Sequence, residues 1–97
     1  MAKKLIDKDR AQATALNGLT YLLQDERRLT TFMSETGAGA DAIRQVADNP
    51  HVLVAVLDHL NSDQAALLDF SAQEEIEPQD IEIALHVLQT GKTFEGY

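Results

Sequence analysis

Laid against itself with a shift of 38 residues, the chain repeats. Leu19, Leu22, Asp25, Leu29, Phe32 and Ile43 meet Leu57, Leu60, Asp63, Leu67, Phe70 and Ile81, and all six pairs are identical. Five of these pairs fall where helical spacing turns a side chain inward, and the sixth pair, Asp25 and Asp63, suits a helix start. A repeat of this kind is one supersecondary unit used twice, each copy burying its apolar face against the other. Two units are too few for an open stack. The predicted architecture is therefore all-α, a compact bundle of about six short helices built as two similar three-helix units in tandem, about residues 11–48 and 49–88.

The apolar spacing places the helices. Ala11, Ala15, Leu19, Leu22 and Leu23 form the stripe of a first helix over about Asp9 to Gln24. Asp25 caps a second, which carries Leu29, Phe32 and Met33 inward and stops at Gly37 as a left-handed cap would. A third runs near Asp41 to Asp48, with Ile43, Val46 and Ala47 inward. In "DNP", Asn49 caps and Pro50 takes the first position of a fourth helix, which reaches about Leu60. Its "HVLVAVL" has strand propensity, but it reads as a helix because no second strand is at hand to pair with it. Apolar on much of its circumference, it should be the central helix. A fifth starts at Ser62 or Asp63, with Leu67, Leu68 and Phe70 as anchors. A sixth starts at Pro78, faces Ile81, Ala84, Leu85 and Leu88 inward, and ends at Gly91. Residues 1–8 are expected to be a flexible N-terminus, 9–91 a single helical domain and 92–97 a C-terminal tail.

Charge divides the chain. Residues 1–48 carry seven basic and seven acidic side chains; residues 49–97 carry nine acidic ones and a single Lys92, the whole net charge of −8. Such a half repels phosphate, so nucleic acid and anionic membranes are not expected partners, while a basic protein surface is. There is no Cys, which removes disulfides and thiolate chemistry and fits a reducing compartment. The longest apolar run, Val52 to Leu57, is far short of the ~20 residues of a bilayer span. The positive start "MAKKLIDKDR" has no apolar stretch behind it, and the expected location is the cytoplasm.

The segments "ALNGLTYLLQDERRLTTFMSETG", "IRQVADNP", "LVAVLDHL" and "LLDF", then Pro78 and a final "ALHVL", follow one another in a recognisable order. From about Ala15 to Leu88 the chain resembles a bacterial family of short all-helical proteins, the domain of unknown function 3572. The Asp-Glu-capped helix carrying Leu29 and Phe32 and ending at Thr36-Gly37 is its hallmark, and it recurs in weaker form at Asp63 to Phe70. Gly39, a second glycine in the turn, and Gln64, in place of an acidic residue beside Asp63, depart from the pattern. The resemblance implies an all-helical fold and a cytoplasmic bacterial protein. It implies no activity and carries over no catalytic or binding residue.

The residues themselves offer little chemistry. His51 and His59 are eight positions apart on one helix, about 12 Å along its axis, too far to share a metal. His86 lies one turn after Glu82, the spacing of a surface ion pair. All three read as solvated or half-buried. "QEEIEPQDIE", Gln73 to Glu82, has five carboxylates but lacks the Gly and the alternate Asp residues of a calcium loop. Its acids at Glu77, Asp80 and Glu82 suit the start of the sixth helix, whose positive end favours them. Nucleophile-elbow, phosphate-loop and dinucleotide motifs are absent. No catalytic residue, metal site or cofactor is expected.

What remains is surface. Glu74, Glu75, Ile83 and Val87 have no task in caps or in the predicted core, and they are the candidate protein-interaction surface on the acidic half. Ile83 and Val87 need a cover, supplied by the tail with Phe94 and Tyr97 or by another molecule. Tyr21 and its repeat mate His59 likewise point off their stripes. The predicted role is a small non-catalytic interaction or regulatory module, monomer or weak homodimer. The alternatives are a small enzyme with an unrecognised site and a DNA-mimic inhibitor of a nucleic-acid-binding protein.

Overall fold

Each long helix begins and ends where the sequence offers its backbone a partner. The computed structural model describes residues 4–37, 39–46 and 49–96. In chain order the elements are β1 (Lys4–Ile6), α1 (Lys8–Leu23), α2 (Glu26–Thr36), α3 (Ala40–Arg44), α4 (Pro50–Ser62), α5 (Gln64–Glu74), α6 (Pro78–Thr90) and β2 (Phe94–Gly96). Asp7, Asp25 and Asp63 cap α1, α2 and α5, each accepting from a backbone N–H two or three residues on. Pro50 and Pro78 stand at first positions, where a missing N–H costs nothing. Gly37 and Gly91 end α2 and α6 in the left-handed region, at φ 72° and 74°. Asn49 precedes α4 as expected but makes no side-chain cap bond.

Three helices form the centre. α1, α4 and α6 each pack against the other two; α2 lies on α1 and α4, and α5 on α4 and α6. The segment "HVLVAVL" is helical, and α4 shares the central place with α1 and α6 rather than holding it alone. Gly18 explains how closely α1 and α4 approach. A Cβ there would stand 2.8 Å from Leu60 Cδ1 and 3.0 Å from Val56 Cγ1. Val56 is itself the repeat mate of Gly18.

The repeat survives as matched environments in the first two helices of each unit, whereas Ile43 on the short α3 is half-buried and its mate Ile81 on the central α6 is fully buried. Leu19 and Leu57, Leu22 and Leu60, and Phe32 and Phe70 are all buried, and Leu29 and Leu67 are both half-buried. The off-stripe pair, expected to point away from the core stripes, is buried as well. Tyr21 is 5% exposed and His59 9%. Their partners are exchanged between units. The Tyr21 ring packs on Phe70 at 5.6 Å and its hydroxyl donates to Asp69 Oδ2 at 2.8 Å. The His59 ring stands edge-on to Phe32 at 5.5 Å, with Nδ1 2.9 Å from Glu35 Oε2. Each unit thus inserts a ring beside the other unit's phenylalanine, and a carboxylate of the receiving unit secures it. Arg28 joins the two cap residues, 3.8 Å from Asp25 and 3.5 Å from Asp63, and lies over the Tyr21 ring.

Several expectations need correction. Leu23 and Leu68, expected inward, are both 51% exposed. At about 100° per residue, Leu68 is turned some 200° from both Ala66 and Phe70, which take the buried face of α5. Leu23 ends α1 one residue beyond the buried Leu22. α3 is shorter than the predicted Asp41 to Asp48, with Ile43 and Val46 half-buried and no residue fully buried; Ala47 and Asp48 lie outside the described residues. The N-terminus is not a free arm from Lys4 onward. Lys4, Leu5 and Ile6 pair antiparallel with Gly96, Glu95 and Phe94. Ile6 is 2% exposed. A ladder this short has no period to read, and its two strands stand at opposite ends of the chain.

Two predictions follow from this interlock. Phe32→Ala and Phe70→Ala should each lower unfolding free energy by about 3–5 kcal/mol in denaturant titrations, since each leaves a cavity between two elements. A neutral effect at either site would break the equivalence of the units. The second concerns alkali. Burial first, then the hydrogen bond to Asp69, pushes the Tyr21 hydroxyl up from 10.0 to about 12, against an opposing pull from Arg28. Because the folded value lies above the unfolded one, this stabilisation is complete below about pH 10 and lost between about pH 10 and 12. In a Tyr97→Phe variant, which leaves Tyr21 as the sole tyrosine, phenolate absorbance should appear near pH 12. Titration near pH 10 in the folded chain would show that the ring is not held as described.

Candidate interaction surface

α6 carries the candidate surface, and its start explains much of the acidic stretch. Glu77 N–H donates to Asp80 Oδ2 at 3.4 Å, and the Glu77 side chain reciprocates as a capping box. Lys4 Nζ then reaches across from β1 to Glu77 Oε2 at 2.9 Å and Asp80 Oδ1 at 2.6 Å. Asp80 is 8% exposed. Both acceptors push the Lys4 ammonium above its usual value, Asp80 most. Elsewhere Asp63 meets Arg28, and Asp69 accepts from Tyr21. The carboxylates of Asp58, Glu74, Glu75, Glu82 and Glu95 are exposed and make no ion pair among the described residues.

The four residues singled out from the sequence separate. Val87 is fully buried, so no partner reaches it in this conformation. It stands one turn beyond Ala84, itself 1% exposed, and α6 is enclosed by α1, α4, α5 and β1 on more sides than one stripe requires. Ile83 is half-buried and lines a cleft of about 380 Å³ with Asn61, Glu82, Leu85, His86, Gln89 and Phe94. Phe94 therefore comes back to α6, as a tail cover would; Tyr97 lies outside the described residues. Glu74 borders a separate depression of about 70 Å³, between α1 and the end of α5, with Tyr21 and Phe70 among its walls. The cleft thus has Ile83, Leu85 and Phe94 as apolar wall and Asn61, Glu82, His86 and Gln89 as polar rim. The sequence singled out Ile83 and Phe94; Asn61 and His86 enter only because α4, α6 and β2 converge.

His51 and His86 are exposed, while the expectation for His59 is overturned by its burial on Phe32 beside Glu35. Among the described residues no group of three or more His, Asp or Glu side chains is placed to hold a metal ion. Likewise no helix among them is long and apolar enough to cross a membrane.

Glu75 has a feature that the sequence did not show. It follows α5 at φ 56°, the one non-glycine residue with positive φ among those described. Its repeat mate is Gly37, at φ 72°. A side chain in this region costs about 1–2 kcal/mol, part of which a glycine would lose again to its freer unfolded chain. Glu75→Gly should therefore raise stability by about 0.5–1 kcal/mol in thermal or denaturant unfolding. A loss of stability would mean that the carboxylate has a structural partner.

No curated protein and no solved structure matches the chain. A family model does, that of a protein of unknown function (DUF3572), over residues 8–91. That span takes in all six helices, and the protein belongs to that family.

Proposed function

We propose that this protein is a non-catalytic, cytoplasmic interaction module that docks a basic partner on α6. The observation that carries the reading is the cleft beside Ile83. It is open, walled by three apolar side chains and rimmed by polar ones, and it lies on the half of the chain that holds the whole net charge of −8. An apolar centre with a charged margin is how interfaces are commonly built. Glu82 stands at its rim, and Glu74 and Glu75 at the end of α5 are unpaired, so they add to an acidic field that draws a basic surface inward. Their role is in the encounter; that of Ile83 is in the complex.

The test separates the two roles. A partner captured from the native cytoplasm is titrated against variants by surface binding kinetics. Ile83→Asp should raise the dissociation constant by about tenfold or more through faster dissociation. Glu74→Lys with Glu75→Lys should slow association several-fold at low salt and have little effect at high salt, where the field is screened. An Ile83→Asp variant that binds as tightly as the native chain would remove the cleft from the reading.

A further inference from the structure

The strand β1 is seated as a ligand is seated. Lys4 and Ile6, at alternate positions, face inward, while Leu5 between them is 47% exposed. Lys4, its side chain 18% exposed, lies between the Asp80 carboxylate of α6, 11% exposed, and that of the cap residue Glu77, 64% exposed. Ile6 is buried opposite Phe94 of β2. The backbone of β2 supplies the ladder. One residue, Asp7, joins this strand to α1, and the Arg10 guanidinium holds the Leu5 carbonyl at 2.9 Å.

We propose that the strip formed by β2 and the start of α6 is a peptide groove occupied in cis by Lys4–Ile6, and that it accepts in trans an extended segment of a partner carrying Lys two positions before a branched apolar residue. Three features define that partner. The acid pair Glu77 and Asp80 selects an ammonium. The buried seat of Ile6 selects a branched apolar side chain two positions on, the spacing at which strand residues share a face. The edge of β2 that now pairs with β1 supplies main-chain pairing to whichever strand lies there, as in recognition by strand addition. The seat is not left empty: without Lys4, Asp80 would be a buried carboxylate with no cation, a costly state, so exchange of one strand for another is favoured over simple opening. This deepens the reading of α6 as the docking element, for the groove begins at Glu77 and Phe94 reaches from it into the cleft beside Ile83.

The tethered strand competes with any incoming one, and a short tether gives it a high effective concentration. Weakening the tethered strand should therefore expose the groove. The probe is a fluorescein-labelled peptide of residues 3–8, KKLIDK, read by anisotropy at low salt against the full native chain and its Lys4→Glu variant. The variant should bind it saturably and about tenfold or more tighter than the native chain does, because its groove is vacant for a larger fraction of the time. Adding Asp80→Asn to the variant should abolish binding, and so should replacing the second lysine of the peptide by Glu. Equal binding by both chains, or binding that ignores the peptide's lysine, overturns the proposal. If Lys4→Glu loses its helical circular dichroism, amide spectra of the native chain decide. The unlabelled peptide at millimolar concentration should shift the signals of Leu5, Glu95 and Gly96, and unmoved signals overturn it. An Ile83→Asp chain that keeps its captured partner while the peptide still binds would defeat the cleft reading and leave the groove standing. A silent peptide with a partner that needs Ile83 would do the reverse.

Discussion

At Gly18 the backbone of α1 comes against the side chains of Val56 and Leu60 on α4, and most of the molecule is arranged by that approach. A methyl group there would meet Leu60 Cδ1 at 2.8 Å and Val56 Cγ1 at 3.0 Å, so any larger residue would make those side chains or the helices shift. With α1 and α4 close, Tyr21 on one reaches Phe70 of the second unit and His59 on the other reaches Phe32 of the first. The flanking helices α2 and α5 are thereby held by rings as well as by their short connections. Asp69 and Glu35 satisfy the polar ends of those rings, which would otherwise be costly to bury. α6 completes the centre, packed on both α1 and α4.

The acidity of the second half has two explanations that only the structure separates. Asp63, Asp69, Glu77 and Asp80 are structural: they cap helices, receive the Tyr21 hydroxyl, or hold Lys4. Asp58, Glu74, Glu75, Glu82 and Glu95 remain outside these tasks. Glu75 even occupies a backbone conformation that favours glycine, where its repeat mate is Gly37.

Legibility was greatest where the signal was local. Caps at Asp25 and Asp63, stops at Gly37 and Gly91, and prolines at first positions need only the neighbouring residues, and all stand where the spacing put them. The inward stripe of α1 was read correctly except at Leu23, and that of α5 except at Leu68. The surface was harder. Ile83 does line the cleft, but Val87 is enclosed by neighbours that no single-helix stripe describes, and Glu74 borders a separate depression. Lys4 and Ile6 were invisible as structure because three residues show no periodicity and their partners lie some 90 positions away.

By itself the sequence determined the five longer helices and their ends, the matched stripes of their repeated positions and the charge asymmetry. Each of these follows from apolar period, cap chemistry or composition, which act over a few residues or none. Tertiary structure alone decided that Tyr21 and His59 exchange partners across the units, that Val87 is covered, that the chain ends pair, and that Lys4 sits between Glu77 and Asp80. These depend on how closely two helices approach and on which residues, far apart along the chain, then come within a few ångströms. No local preference records that distance; here Gly18 sets it by having no side chain to hold the helices apart.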